Sequence, residues 1–332
     1  MPSASTSGPL TAVRKDYMGT VAREKYSASE IERYLREERN WGRWGENDQL
    51  GAVNLITTEK RRRAAGLVKL GKSVSLSRPL PTKPGTGNPR PASHYFRSAD
   101  SWDGHGGYGF VADYVGIDYH GLATTHIDAL CHTWDQRGAW NGQQPFDGSN
   151  HGIANGEIDA WRDGIVTRGV LLDVPRYRNE EYVTAENPVH GWELEEICSS
   201  EDITLEPGDA LVVHSGREAW DRRNPLWNGP DFNGEHARPR PGLHASCLIF
   251  LKDHDCSLLV WDMTEAKPSA EAAPMGVHSA IFAFGIGLVD SAMLEPLAIE
   301  CAAAGAWEFL FMLAPLRLVG GTGSPANPIA VL

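Results

Sequence analysis

The feature that most constrains the fold is a set of short apolar runs that are bounded by turn residues. RGVLLDVPR (168–176), GDALVVHS (208–215) and CSLLVWDM (256–263) all have this form, which is typical of buried strands. HGWELEEICSS (190–200) and HASCLIFLKDHD (244–255) precede two of these runs and fit helices. Because strands and helices do not alternate strictly, we expect one α/β domain with a mixed central β-sheet flanked by helices, rather than a doubly wound parallel sheet.

Further helices and strands are predicted on both sides of these runs. SASEIERYLREERN (27–40) fits a helix with Ser29 as its N-cap and Glu32 completing a capping box. TTEKRRRAAGLVKLG (57–71) predicts a second helix that stops at Gly71. The remaining predicted elements are a strand in KSVSLSRPL (72–80), two strands in YGFVADYVGIDYH (108–120), a helix in LEPLAIECAAAG (294–305) and a strand in WEFLFMLAPLRL (307–318).

The expected domain organisation is a flexible N-terminal tail over residues 1–26 and a single domain over residues 27–332. The tail is polar and small, and it lacks the apolar stretch of a signal peptide. Residues 81–110 are rich in Pro and Gly. A segment of this kind is either a lid over a site or an inert surface loop.

Charge and composition exclude several classes of partner. Lys and Arg total 31 against 43 Asp and Glu, a formal charge of −12, which argues against nucleic acid and anionic membranes. No apolar run approaches the roughly 20 residues that cross a bilayer. No glycine-rich phosphate motif follows a strand, so no nucleotide cofactor is expected. The five cysteines are odd in number and scattered, which favours a reducing, cytoplasmic setting.

The stretch HGLATTHIDALCH (120–132) carries a potential metal site. In an extended segment, His126 and Asp128 point to the same face and can bind one divalent ion such as Zn²⁺ or Mn²⁺. His132 follows four residues later, as a further ligand or as the general base. Cys131 is either a nucleophile or a buried thiol, and the second is favoured because no electropositive partner is evident for a thiolate.

A metal site needs further ligands, and two later segments offer them. His278 and Asp290 bracket an apolar run in MGVHSAIFAFGIGLVDSAMLEPL (275–297). Asp262 and Glu265 stand at the end of a predicted buried strand, where an acidic residue needs a reason to be present.

With these residues the chain resembles the cyclase, or kynurenine formamidase-like, family of metal-dependent hydrolases. The family motif is His-x-Gly-Thr-His-x-Asp-x-x-x-His, followed later by a His and an acidic residue twelve positions after it. His126, Asp128 and His132 match the motif, and His278 with Asp290 reproduces the later spacing. The segments NWGRWGENDQLGAVNLIT, EPGDALVVHSGRE and APLRLVGGTGSPANPIAVL are also similar to the longer branch of the family.

The resemblance implies roles for these residues and a swivelling β/β/α type of fold. His126 and Asp128 would be metal ligands, with Asp128 able to bridge two ions, and His278 with Asp290 would complete the metal-binding set. His132 would be the catalytic acid and base. The first motif His falls at Leu122 in this chain, and Thr124–Thr125 replaces the Gly-Thr pair. Either His120 acts as a substitute ligand, or the site holds one ion, Mn²⁺ or Zn²⁺, instead of two.

The leading functional hypothesis is metal-assisted hydrolysis of an amide, lactam, lactone or ester in a small aromatic molecule. Trp41 and Trp44 would stack on such a substrate, although both could equally be packing anchors. The alternatives are a lyase or dehydratase that uses the ion as a Lewis acid, and a non-catalytic small-molecule-binding protein on the same scaffold. The resemblance implies a homodimer or homotetramer.

Overall fold

A nine-stranded mixed sheet lies at the centre of the computed structural model, which describes residues 26–85, 87–98, 110–144, 152–224, 239–269 and 273–332. The strands are β1 (Ser73–Ser75), β2 (Ser93–Ser98), β3 (Val111–Gly116), β4 (His126–Asp128), β5 (Ile165–Asp173), β6 (Ala210–His214), β7 (Leu258–Trp261), β8 (Gly287–Asp290), β9 (Glu308–Leu313), β10 (Gly323–Pro325) and β11 (Ile329–Val331). The α-helices are α1 (Ala28–Glu37), α2 (Thr58–Ala65), α3 (Val174–Arg178), α4 (Gly191–Ser200), α5 (Arg217–Arg223), α6 (Cys247–Asp253), α7 (Ser279–Phe284) and α8 (Glu295–Ala304).

The strand order in the sheet is β1-β11-β9-β5-β6-β7-β8-β4-β10. The four central strands, β5 to β8, are parallel to one another, and every other pairing in this sheet is antiparallel. All residues of β6, β7 and β8 are buried, as expected for parallel strands covered on both faces. The prediction of a single α/β domain with a mixed sheet is confirmed.

Most of the predicted helices and strands are present with shifted boundaries, but the described residues 110–120 contain one strand, β3, where two were predicted. Helix α1 begins two residues earlier than predicted: Ser27 is its N-cap and Glu30 completes the capping box, which places Ile31 and Leu35 on the buried face. Helix α2 ends at Gly66 rather than Gly71. Beyond the helix, the backbone N–H groups of residues 70 and 72 donate to the carbonyl of Leu332.

The Pro- and Gly-rich segment 81–110 is not a continuous loop. Its residues 93–98 form β2, which pairs with β3 as a separate two-stranded hairpin. Residues 86 and 99–109 lie outside the described residues, as does the predicted tail up to residue 25. No helix in the described ranges is long and apolar enough to cross a membrane.

Strand β4 brings the two parts of the candidate site together. It is three residues long and lies antiparallel between β8 and β10. The register places His126 opposite Asp290 on β8, and Asp128 opposite Gly323 on β10. A Cβ atom at Gly323 would lie 2.5 Å from the carbonyl oxygen of Ile127 and 3.1 Å from Cε1 of His120, so only glycine leaves room for both.

Candidate active site and metal centre

Asp128 is the centre of the site. Its side chain is 1% exposed and is surrounded by four imidazole rings. Nδ1 of His120 and Nε2 of His126 lie 3.0 and 3.4 Å from Oδ1, and Nε2 of His132 and of His278 lie 3.7 and 3.6 Å from Oδ2. Although burial opposes ionisation, the rings of His132 and His126, both protonated in the acidic range where this carboxyl titrates, hold the pKa of Asp128 well below its ordinary value.

His126 presents one ring nitrogen to this centre because the other is already bonded. Its Nδ1 donates to the carbonyl oxygen of Thr124 at 2.8 Å, which leaves Nε2 directed at Asp128. Burial opposes the charged ring, but the charges of Asp128 and Asp290 raise the pKa of His126 to about 9. A divalent ion would supply positive charge in place of that proton, so ion binding here releases protons.

His120 also faces Asp128. Its Nε2 bonds to the hydroxyl of Thr322 at 3.0 Å, and its Nδ1 is the nitrogen that lies 3.0 Å from Asp128. Leu122, which occupies the motif position of the first His, is buried, and its carbonyl oxygen accepts a hydrogen bond from the guanidinium of Arg217. Of the two arrangements that the sequence left open, the geometry corresponds to the one in which His120 points into the site.

His278 and Asp290 form the second half of the cluster. Helix α7 and strand β8 turn the twelve-residue separation into a contact of 3.1 Å between Nε2 and Oδ2. Nδ1 of His278 donates to Oε2 of Glu265 at 2.6 Å, and Nε1 of Trp261 donates to Oδ1 of Asp290 at 2.5 Å. These outer partners fix the orientation of both side chains, as they do around metal ligands.

His132 differs from the other rings in its protonation. Burial lowers the pKa of His132 to about 4, despite the opposing charge of Asp128, so the ring is neutral at pH 7. It stacks on His120 with 4.1 Å between ring centroids and 2° between planes. Both side chains are 28% exposed, against 1% for His126 and Asp128. His132 therefore lies on the open side of the cluster, where a small molecule can reach it.

The donor set fits one or two divalent ions. Two groups of ligand atoms lie within 4.8 Å of one another, His120–His126–Asp128 and Asp128–His278–Asp290, and they share Asp128. Both oxygens of Asp128 and Nδ1 of His120 are buried without a hydrogen bond of acceptable geometry in the described part of the chain. Such atoms are costly unless something fills the space between them. Imidazole nitrogen with carboxylate oxygen suits Zn²⁺ or Mn²⁺.

The other sequence candidates lie outside the cluster. Nε1 of Trp41 donates to the carbonyl of Phe282 at 2.6 Å, and the Trp44 ring lies 6.1 Å from that of Trp140. Both are partly buried and pack against the core, and contact with a substrate stays a prediction. Cys131 is buried, and burial raises the pKa of its thiol to about 12, which is unsuited to a nucleophile.

Sequence reasoning did not find the contacts of Trp261, Thr322 and Arg217. Each of them reaches the site from a distant part of the chain. Only Trp261 had a signal in the sequence, because it directly precedes Asp262 at the end of a predicted strand.

A curled mixed sheet with a buried His/Asp cluster at β4 defines a cyclase-type α/β protein. The family described as "Putative cyclase" matches residues 74–267, more than half of the chain, and the chain belongs to that family. No curated protein sequence matches significantly.

Solved structures of cyclase and hydrolase proteins are similar to this chain in fold. The crystal structure of a novel cyclase shares 28% identity with a TM-score of 0.76, covering 89% of this chain and 97% of that one. Isatin hydrolase A from Labrenzia aggregata, bound to benzyl benzoate, shares 19% identity with a TM-score of 0.53, covering 80% and 94%. Isatin hydrolase A from Ralstonia solanacearum shares 15% identity with a TM-score of 0.51, covering 78% and 91%. The two hydrolases are similar in fold.

Proposed function

We propose that this protein is a metal-dependent hydrolase that cleaves a C–N or C–O bond in a small aromatic molecule. The observation that carries the proposal is the environment of Asp128, a buried carboxylate with four imidazoles around it and no hydrogen bond of its own among the described residues. The metal-binding residues of the proposal are His120, His126, Asp128, His278 and Asp290. Zn²⁺ or Mn²⁺ held by them supplies a Lewis acid for a carbonyl group and lowers the pKa of water.

His132 is the proposed catalytic acid and base. Because its pKa is lowered to about 4, the ring at pH 7 is ready to accept a proton from the attacking water. Nε2 is the atom that faces the cluster, and it returns the proton to the leaving nitrogen or oxygen. The stacked ring of His120 holds His132 in this orientation.

A cavity formed by chain segments that adjoin the site residues in sequence is the candidate substrate pocket. Its volume is about 490 Å³, and its lining combines Trp134, Met275 and Phe282 with charged side chains that include Arg39 and Asp135. Trp134 follows His132 by two residues and is 46% exposed, and Met275 precedes His278 by three residues and is 44% exposed. An exposed indole offers a flat face for stacking. The fold shared with the isatin hydrolases makes aryl lactams the first compounds to test.

The experiment combines metal analysis with turnover. Protein purified without chelator should contain about one or two equivalents of a transition metal. Removal of the metal should abolish hydrolysis of aryl lactams, formamides, lactones or esters, and Mn²⁺ or Zn²⁺ should restore it. Product from ¹⁸O-labelled water should carry the label, whereas a lyase would give unlabelled product. Metal-free protein that cannot be loaded would contradict the proposal.

His132→Ala is the matched test of the acid and base. We expect this variant to retain its metal and to lose activity by about 10²–10⁴-fold. His254→Ala is the control, because His254 is also paired with a carboxylate, Glu195 at 3.0 Å, and lies outside the cluster. Full turnover by His132→Ala would remove the role assigned to this residue.

The proposal also includes a homodimer or homotetramer in a reducing compartment. Hairpin β2–β3 exposes Phe96 and Val111 by 73% and 69%, and an isolated two-stranded hairpin is marginally stable in water. A second copy that covers it would explain both facts. Light scattering should show an oligomer, and Phe96→Ser should weaken it; a monomer at all concentrations would contradict this part. The five cysteines are all free and buried, in keeping with a reducing setting.

A further inference from the structure

A second cluster of ionisable groups lies at the carboxyl ends of the parallel strands. Asp173 ends β5, His214 ends β6 directly opposite it, and Asp262 follows β7. Glu218 reaches the same place from the first turn of α5. One nitrogen or oxygen atom each of His214, Glu218 and Asp262 lie within 4.8 Å of one another. This spacing matches atoms that each lie about 2.0–2.2 Å from a shared ion.

His214 has the orientation of a metal-binding histidine. Its Nδ1 donates to Oδ1 of Asp173 at 2.8 Å, which directs Nε2 toward Asp262 and Glu218. His214 is 7% exposed, and its Nε2 is buried without a hydrogen-bond partner among the described residues. A carboxylate that holds one ring nitrogen while the other is free is the usual arrangement behind a metal ligand.

Glu218 also carries a buried oxygen atom without a partner. Its Oε1 pairs with Arg78 at 2.5 Å, whereas its Oε2 has no hydrogen bond in the described ranges, and the side chain is 9% exposed. Ser215, the chain neighbour of His214, is fully buried, and its Oγ has no hydrogen bond among the described residues either. A buried polar group without a partner costs about 1–3 kcal/mol, so the unpaired atoms of His214 and Glu218, which belong to one cluster, point to a bound ion.

Asp262 adds negative charge to the cluster, but both of its carboxylate oxygens already accept hydrogen bonds. Oδ1 accepts the backbone N–H groups of Ser215 and Met263, and Oδ2 accepts those of Gly216 and Arg217, at 2.9–3.0 Å. These bonds fix the turn that leads into α5. The same turn leads to Glu218, which has a ligand atom within 4.8 Å of one on His214.

The charge balance of the cluster favours a cation. Four carboxylates, those of Asp173, Glu218, Asp221 and Asp262, face the two guanidinium groups of Arg78 and Arg217. With the ring of His214 neutral, as an ion ligand must be, the excess of two negative charges is what one divalent ion neutralises. Burial raises the pKa of Glu218. Although burial has the opposite effect on His214, the bond to Asp173 and the charge of Asp262 raise its pKa too. The negative charge of Asp262 contributes to both changes.

We propose that His214 and Glu218, with Ser215 and Asp262 beside them, form a second divalent-cation site that is separate from the cluster around Asp128. Imidazole nitrogen with carboxylate oxygen selects a borderline ion such as Zn²⁺ or Mn²⁺. The site lies where β5, β6 and β7 end and α5 begins, and an ion there ties these four elements together. Because Arg217 binds both the carbonyl of Asp262 and that of Leu122, the same ion supports the turn that carries His120.

The test counts ions in proteins that lack the first site. Asp128→Asn removes the carboxylate shared by both halves of that site, and the variant is titrated with Zn²⁺ or Mn²⁺ and examined by native mass spectrometry. We expect about one ion to remain bound, and to be lost when His214→Gln or Glu218→Gln is added. His254→Gln is the matched control for replacement of a carboxylate-paired histidine, and it should retain the ion.

Two further measurements keep the outcome independent of folding and of catalysis. Circular dichroism of each variant shows whether the fold is intact. Co²⁺ titration of the folded Asp128→Asn protein should give visible d–d bands, which should be lost when His214→Gln is added. The proposal is overturned if folded Asp128→Asn protein binds no ion, or if the ion count is unchanged by both His214→Gln and Glu218→Gln. Neither result depends on whether the protein hydrolyses a substrate.

Discussion

Replacement of Glu265 by Gln should weaken metal binding at the first site while leaving every proposed ligand in place. Glu265 accepts the Nδ1 proton of His278 at 2.6 Å, and its side chain is 10% exposed. A carboxylate in this position orients the ring and makes Nε2 a stronger donor to an ion. Glutamine keeps the size and the hydrogen-bond acceptor but removes the charge.

The size of the effect follows from the surroundings of Glu265. Although burial opposes ionisation, His278, Lys267 and Arg240 lower the pKa of Glu265 from 4.5 to about 2. At about 1.4 kcal/mol per pKa unit, this shift corresponds to a net stabilisation of the ionised group by about 3 kcal/mol, after the opposing effect of burial. His278 accounts for a part of this stabilisation. Loss of the charge behind a metal-binding histidine is therefore expected to reduce metal affinity by about 10–100-fold, or about 1.4–2.8 kcal/mol.

The assay is competition with a chromophoric chelator for Zn²⁺ or Mn²⁺. Glu193→Gln is the control, because Glu193 is similarly buried and bonds Arg178 at 2.6 Å, far along the chain from the site. Both variants should lower the thermal midpoint of the metal-free protein, and only Glu265→Gln should lower metal affinity. Equal affinities for the two variants would refute the reasoning that Glu265 acts through His278.

Three further predictions concern packing and thiol chemistry. Because burial raises the pKa of Cys131 to about 12, its thiol stays protonated at pH 8, and iodoacetamide should modify it only after unfolding; rapid native labelling with loss of activity would restore the nucleophile hypothesis. Gly169→Ala places a Cβ 2.3 Å from the fully buried ring of Phe309, so the urea midpoint should fall by the equivalent of about 1–3 kcal/mol, and an unchanged midpoint would show that the ring can move. Gly323→Ala places a Cβ against Ile127 and His120 and should reduce both stability and metal affinity, whereas unaltered affinity would separate His120 from the metal centre.

The sequence predicted the centre of the sheet because its signals there are local. The runs that became β5, β6 and β7 are apolar over four to six residues and end at turn residues, which requires no knowledge of partners. The spacing of His126 and Asp128 also predicted correctly that both face one point, since residues two apart in a strand share a face.

Contacts between distant segments could not be predicted from the sequence. The orientation of His120 depends on Thr322, and that of His278 depends on Glu265. These pairs form because β4 lies between β8 and β10, an arrangement that hydrophobic periodicity does not encode. His214 was not predicted as a site residue for a related reason. In the sequence it is only the polar residue at the end of an apolar run, and its neighbours in the sheet are not evident.

The position of β4 has a consequence for biosynthesis. Its two neighbours, β8 and β10, are made about 160 and 200 residues after it, so a nascent chain carries the metal-binding motif long before the sheet can close around it. His120 lacks its Thr322 partner until the ribosome has passed residue 322. The proposed metal site can therefore assemble only late in synthesis, after both later strands have been made.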